Sequence, residues 1–301
     1  AALSEVPDEW RRAVVEWSRR NRRLRVDWEG AFAPTRNDEY LLCQTLVGLW
    51  PWEPEQTAFT ALTDRVNAYL VKAAREAKVN TSWINPNETY EAALTGFARA
   101  VLTDQEQLER LHPLFSRTNR AGAFNSLSGL SLRCGSPGVP DVYQGCETWS
   151  LRLVDPDNRA IPDYAGLSET LTAVEDARPA DLWDAYEDGR VKLAATRTLL
   201  HFRRDHPDLF ARGAYQPLEP AGEAAGHVVA FRRALGGEEL VVAAGRLSLA
   251  VAAKGGWAAA ELPLAGRYRE LFSGLEAEAD GTLNLGDWLG RFPSAWFWRL
   301  G

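Results

Sequence analysis

Between residues 135 and 164 the chain concentrates side chains suited to holding a ligand: Glu147, Trp149, Asp155, Asp157, Asn158 and Arg159. Carboxylates, an amide, a guanidinium and an indole at that density suit a polyhydroxylated molecule. Sugar hydroxyls take planar donors and acceptors, and sugar C–H faces stack on aromatic rings. Just upstream, Val139–Tyr143 reads as a short buried strand. Pro137, Gly138 and Pro140 bound it on one side and Gly145 on the other, so Tyr143 and Gln144 stand at its end. Two other readings compete. Asp-Pro-Asp-Asn is ordinary turn chemistry, and Asp155, Asp157 and Arg159 could brace one another as an ion cluster. A second group, Trp83 with Asn85 and Asn87, offers an indole face beside two amides. The competing view puts Trp83 in the core and Asn85-Pro86 in a cap turn.

The elements that must position these groups fall into three parts. Residues 1–120 read as an all-helical unit. Ser4 is placed to cap a first helix with Pro7 in its first turn, and Trp10, Val14 and Trp17 share a face at helical spacing. The same helix carries Arg11, Arg12, Arg19, Arg20, Arg22, Arg23 and Arg25. That run could touch phosphate, but Glu5, Asp8, Glu9 and Glu16 interrupt it as on a solvated amphipathic face. Asn37 is placed to cap a second helix lined by Leu42, Thr45, Leu46 and Leu49, broken by Pro51 and Pro54. A third carries Phe59, Leu62, Val66, Tyr69 and Ala73. A fourth, opened by Pro86-Asn87, carries Tyr90, Leu94, Phe97 and Val101. Two more helices are expected over 104–118 and 119–133. Residues 121–212 hold the 139–143 strand and a helix over 190–204. Residues 213–301 alternate short apolar runs with glycine and proline (His227–Phe231, Leu240–Ala244, Arg267–Phe272, Ala295–Leu300), the pattern of an antiparallel β domain.

Composition narrows the function. With 46% hydrophobic and 25% charged residues the chain falls in the globular range. A net charge of −7 disfavours a general nucleic-acid binder. The absence of an 18-residue apolar run argues against a membrane span. Cys43, Cys134 and Cys146 show no paired spacing, which fits a reducing cytoplasm better than a disulfide scaffold or a metal site. His201 and His206 read as surface or packing residues. The chain opens on Ala1 and contains no methionine, so a processed, truncated or engineered N-terminus is expected.

Several long segments resemble one family. Pro137-Gly-Val-Pro-Asp-Val-Tyr-Gln-Gly145, Glu147, Trp149 and Leu153-Val-Asp-Pro-Asp-Asn-Arg159 resemble maltooligosyl trehalose synthases, members of the alpha-amylase superfamily of (β/α)8-barrel enzymes. The resemblance extends to Asn37–Gly48, Lys72–Lys78, Thr81-Ser-Trp-Ile-Asn-Pro-Asn-Glu88 and Gly122–Leu127, covering most of residues 1–212 in the family's order. It implies an α+β chain made of three parts. These are a helical insertion domain (1–120), the end of an alpha-amylase-type barrel with its eighth strand at 139–143 (121–212), and a C-terminal antiparallel β domain (213–301). It also implies that the first seven barrel strands lie before residue 1, so that the chain is a C-terminal part whose partner is the N-terminal barrel portion of the same enzyme.

The implied reaction isomerises the reducing-end α-1,4 bond of a maltooligosaccharide to an α,α-1,1 bond, in trehalose biosynthesis. The catalytic carboxylates of the family come from strands four, five and seven, and the strand-seven signature Thr-His-Asp-Thr-Lys occurs nowhere here. No catalytic residue, metal ligand or cofactor is therefore assigned, and the isolated chain is expected to be inactive. Trp83, Asn85, Asn87, Tyr143, Gln144, Glu147, Trp149, Asp155, Asp157, Asn158 and Arg159 are the implied substrate-binding residues. The chain departs from the family at Asn80, usually histidine, and at Ser150, usually aspartate. It departs again at Ala160-Ile161-Pro162-Asp163, usually Arg-Pro-Val-Asp, where the lost arginine removes a bidentate partner. The rival readings are a non-catalytic carbohydrate-binding or scaffold protein and another alpha-amylase-type glucanotransferase.

Overall fold

The computed structural model describes residues 1–52 and 56–301. They form two compact units: Val6–Arg120 with Leu151–Ile161, and Ala1–Glu5 with Ala121–Ser150 and Pro162–Gly301.

The first unit is mostly helical. Helix α1 spans Pro7–Asn21 with Pro7 in its first turn, where its missing N–H costs nothing. Val6 occupies the cap position without a side-chain bond. Ser4, expected as the cap, instead donates to the Ala1 carbonyl at 2.6 Å. A short hairpin, β1 (Val26–Trp28) and β2 (Ala31–Ala33), corrects the all-helical expectation. Its turn places Glu29 at φ 50° and Gly30 at φ 77°. Two left-handed residues are what a two-residue hairpin turn requires, and Glu-Gly is a weak signal for it. Helix α2 spans Arg36–Leu49 and is capped by Thr35 rather than Asn37. The Thr35 hydroxyl accepts from the Asp38 amide at 3.2 Å, and the Asp38 carboxylate accepts from the Thr35 amide at 3.3 Å. This reciprocal box satisfies two otherwise orphaned donors. Pro54 lies outside the described residues.

Helices α3 (Gln56–Ala77) and α4 (Glu88–Thr103) pack against each other, and α3 also packs on α2. Phe59, Leu62, Val66, Leu70 and Ala74 form the buried stripe of α3; Tyr69 and Ala73 are half-buried beside it. Helix α4 opens after Pro86-Asn87 as expected, and Asn87 is its cap, accepting from the Tyr90 amide at 3.0 Å. Trp50 anchors this core, 5.0 Å from Phe59 and 4.7 Å from Phe115 between ring centroids. Helix α5 runs unbroken over Gln105–Gly135, where two helices were expected. Pro113 removes one backbone donor, but buried Leu108, Leu111, Phe115, Phe124, Leu127 and Leu130 carry an apolar stripe along the whole length.

In the second unit, residues 139–143 have no regular secondary structure. Val139 is 95% and Tyr143 58% exposed, correcting the expected buried strand. A strand exists through its ladder partners, and among the described residues none pairs with this segment. Helices α6 (Tyr164–Ala173), α7 (Arg190–Asp205) and α8 (Pro207–Arg212) follow. The β region contains β3 (Ala214–Leu218), β4 (Val228–Leu235), β5 (Glu238–Gly245), β6 (Glu261–Pro263), β7 (Gly266–Glu270), β8 (Glu276–Ala279), β9 (Thr282–Asn284) and β10 (Ser294–Arg299). Six form an antiparallel sheet in the order β3-β4-β5-β10-β7-β8, and β6 pairs with β9. Leu240–Ala244 of β5 are wholly buried, which explains a continuous apolar run in place of alternation.

One buried cation ties helix ends to this sheet. Arg233 on β4 is 1% exposed. Its guanidinium donates to the carbonyls of Gly135 (3.2 Å), Leu209, Phe210 and Gly213 (3.0 Å each), and Ala214 (3.3 Å). Carbonyls at helix ends lack intrahelical donors, and Arg233 supplies them. Gly135 permits the approach, because a Cβ there would lie 2.9 Å from both Phe231 and Val242. Arg233→Met should lower the unfolding free energy by about 3 kcal/mol or more, at roughly 1 kcal/mol per orphaned carbonyl. Urea denaturation measures this. A loss below about 1 kcal/mol would mean that those carbonyls find other donors.

Candidate functional site

The groove with the most suitable chemistry lies in the first unit. It encloses about 640 Å³ and is lined by Asn67, Lys72 and Glu76 of α3, Trp83 of the following loop, Thr95 of α4 and Asp155. Trp83 is 55% exposed, so it is not core. Its ring lies 4.9 Å from the Arg75 guanidinium, a cation–π contact. Arg75 is itself fixed by Glu91, through two bonds of 2.7 Å. The Thr81 hydroxyl also donates to Glu91, at 2.6 Å. The Arg75 bonds hold the Glu91 carboxyl below its ordinary pKa, more than offsetting partial burial. The indole therefore rests on a guanidinium that cannot swing away. Asn67 is 9% exposed, and its carbonyl oxygen has no hydrogen-bond partner among the described residues. An indole face, an ammonium, carboxylates and an unspent amide oxygen match the donors, acceptors and C–H faces of a sugar ring.

The loop carrying Asp155 is clamped to α3. Arg65 donates to both carboxylate oxygens of Asp157 at 2.8 Å and to the Leu151 carbonyl at 2.6 Å. Asp157 also accepts from the Leu153 amide at 2.7 Å. The Arg65 bonds, with that amide, depress the Asp157 pKa against its partial burial. Lys72 donates to the Asp155 carbonyl at 2.6 Å, and its ammonium stands 3.7 Å from the Asp155 carboxylate. Arg159 pairs with Asp155 at the surface, its side chain 75% exposed. The brace is thus Arg65–Asp157, not the expected Asp155–Asp157–Arg159 cluster. A partner 92 positions away leaves no local trace in the sequence.

The other expected residues have separate places. Asn158 is exposed beside Arg159. Asn85 is exposed, and its amide donates to the Ser82 hydroxyl at 3.0 Å. Asn87 spends its side-chain oxygen on the α4 cap. Tyr143, Gln144, Glu147 and Trp149 belong to the second unit. There the Tyr164 hydroxyl donates to Gln144 at 3.0 Å. Trp149 donates its indole N–H to the Tyr186 carbonyl, and Lys192 lies 5.4 Å over its ring. One Glu147 oxygen is buried without a hydrogen-bond partner among the described residues. Among the described residues, no group of three or more histidine, cysteine, aspartate or glutamate side chains could hold a metal ion. Among them, too, no helix is long and apolar enough to cross a membrane.

No protein-family model matches the chain. A protein of Mycobacterium tuberculosis assigned as a maltooligosyl trehalose synthase is 37% identical over 246 residues, 81% of this chain and 29% of that protein. The maltooligosyltrehalose synthase of Arthrobacter ramosus superposes with a TM-score of 0.82 at 33% identity, over 99% of this chain and 36% of that one. A further maltooligosyl trehalose synthase superposes at 0.78 and 26% identity, over 99% of this chain and 37% of that one. The chain belongs to the maltooligosyl trehalose synthase family. It spans about a third of the length of these relatives.

Within this family member, the residues that sequence reasoning missed are Arg65, Lys72, Arg75 and Asn67 of α3. Only the segment Lys72–Lys78 carried a signal, through the family resemblance. Arg65→Ala should destabilise the first unit by about 1–2 kcal/mol, the usual range for a charged hydrogen bond reduced for partial exposure. Arg159→Ala should change stability by less than about 0.5 kcal/mol, as exposed pairs do. Because the folded-state pKa of Asp157 is depressed, its contribution is present above the unfolded value, near pH 4. It is lost as the pH falls through the folded value. Asp157→Asn should therefore lower stability at pH 7 and flatten the acid limb of a denaturation series. Parallel acid limbs in wild type and variant would refute the clamp.

Proposed function

We propose that the chain is the C-terminal part of an enzyme that isomerises the reducing-end α-1,4 bond of a maltooligosaccharide to an α,α-1,1 bond. The observation that carries the role of this part is the exposed Trp83, pinned on Arg75 in one groove with Lys72 and Asp155. In this reading the groove receives a glucose unit. Trp83 stacks on its C–H face, while Lys72, Asp155 and Asn67 take its hydroxyls, with Arg159 reaching from the rim. An isomerase of this kind must hold the released glucose while it turns, and must keep water from the intermediate. A rigid indole platform suits that task. Asn85, Asn87, Asp157 and Asn158 shape the surroundings, several through the bonds described above, while Tyr143, Gln144, Glu147 and Trp149 are read as substrate-binding residues of the second unit.

Residues 121–212 are read as the end of an alpha-amylase-type barrel, between a helical domain (1–120) and an antiparallel β domain (213–301). Val139–Tyr143 becomes the eighth barrel strand once it pairs with the N-terminal portion of the same protein. The exposure of Val139 and Tyr143, with no ladder partner for the segment among the described residues, supports this. The carboxylates that cut and re-form the glycosidic bond belong to that portion, so this chain by itself is inactive. The three cysteines are free, which suits a reducing cytoplasm.

Two experiments test the reading. In the complete enzyme, Trp83→Ala should raise free glucose relative to trehalose-ended product by several fold, since stacking of about 1–1.5 kcal/mol is lost. An unchanged ratio with a lowered melting temperature would assign Trp83 a structural role instead. The purified 301-residue chain should leave the reducing ends of maltopentaose untouched. Their disappearance above a blank would place catalytic groups within it.

A further inference from the structure

The arginine-rich first helix, which the sugar groove does not use, borders a pocket of its own. It encloses about 370 Å³ between α1, the turn after it and the start of α2. Two buried polar groups line it. Trp17 is 2% exposed, and its indole N–H has no hydrogen-bond partner among the described residues. Glu39 is 3% exposed; one of its oxygens accepts from the Ser18 hydroxyl at 3.0 Å, and the other has no partner among the described residues. An unsatisfied donor and an unsatisfied acceptor thus belong to two residues that line one pocket. Buried polar groups are rarely left so. A ligand hydroxyl answers both, accepting from the indole N–H and donating to the carboxylate.

Arg19, Arg22, Arg25 and Arg36 also line this pocket. None of the four forms an ion pair among the described residues, whereas neighbouring Arg11 and Arg20 on α1 do. Arg25 donates to the Pro34 carbonyl at 3.0 Å, which fixes its stem. Four guanidiniums against the single Glu39 carboxylate give the pocket a local excess of positive charge, on a chain whose net charge is −7. Guanidiniums recognise phosphate oxygens in a planar, bidentate manner. The volume lies within the range of small-molecule sites, and Val14, Val15 and Tyr40 add apolar wall for C–H groups.

We infer that this pocket binds a hexose phosphate, its phosphate on the arginines and a hydroxyl between Trp17 and Glu39. The pocket shares no lining residue with the Trp83 groove, and the inference does not rest on the function assigned to that groove. Isothermal titration of the complete protein with glucose 6-phosphate tests it. Binding should be saturable and survive Trp83→Ala. It should weaken about tenfold or more in an Arg19→Ala/Arg36→Ala double variant, which loses two charged contacts from exposed side chains. Arg23→Ala, on a neighbouring exposed arginine outside the pocket, should leave it unchanged. Inorganic phosphate should bind about tenfold more weakly or worse, lacking the hydroxyl. Phosphate binding as tightly as the sugar phosphate would overturn the inference. So would equal losses in the Arg23 and Arg19/Arg36 variants, sugar-phosphate binding abolished by Trp83→Ala, or no measurable binding.

Discussion

The grip of Arg65 on Asp157 is the interaction on which the candidate site depends. Residues 151–161 have no regular structure beyond one short turn, Asp157–Arg159. Such a segment holds a defined place only if something outside it fixes its backbone. Arg65 does so with three short bonds, two to Asp157 and one to the Leu151 carbonyl. Lys72, seven residues further along the same helix, adds a bond to the Asp155 carbonyl. Residues seven apart lie on one helix face. A single face of α3 therefore delivers the loop clamps, while Arg75 carries the platform beneath Trp83. Without the clamps, Asp155 would not belong to the groove.

The same physical theme recurs in the second unit. Arg233 serves carbonyls rather than carboxylates, gathering the ends of α5 and α8 and the start of β3. Burial disfavours its charged form and pushes its pKa down, but five carbonyl dipoles accept from it. Glu270 is the anionic counterpart, 3% exposed, accepting from the amides of Phe272, Ser273 and Trp296. Each buried charge is satisfied by backbone groups that the turns would otherwise leave orphaned. The β region is thus fixed at its connections as well as through the apolar packing of β5 and β10.

The groove and the arginine pocket illustrate two ways of presenting unsatisfied polarity. In the groove, the polar groups are largely engaged and one amide oxygen is spare, a surface suited to an uncharged polyol. In the arginine pocket, a donor and an acceptor are both spare and four guanidiniums add charge, a surface suited to an anion. Both lie in the helical unit, where α1, α2 and α3 turn their apolar stripes inward and their long cationic side chains outward.

Much of the helical architecture was legible because periodicity is local. The stripes of α2 and α4, the opening of α4 at Pro86-Asn87 and the run of antiparallel strands after residue 213 follow from spacing and turn chemistry alone. The family was legible too, since long motifs such as Leu153–Arg159 and Thr81–Glu88 survive as words. Whatever depended on a distant partner was not legible. The Glu29-Gly30 turn revealed itself only through its hairpin. Val139–Tyr143 has strand-like composition yet forms no strand, because a strand needs a neighbour. Trp83 could have been core or an exposed face, and only the folded chain, which leaves it exposed beside Arg75, excludes the core. Asp155, Asp157 and Arg159 looked like mutual partners because they are adjacent in sequence. The folded chain gave Asp157 to Arg65 instead, because a bidentate pair forms wherever packing brings a guanidinium and a carboxylate together. The sequence by itself determined which side chains were present and which helices carried them. The tertiary structure decided which charges met, since Coulomb and hydrogen-bond energies depend on distance in space and not along the chain.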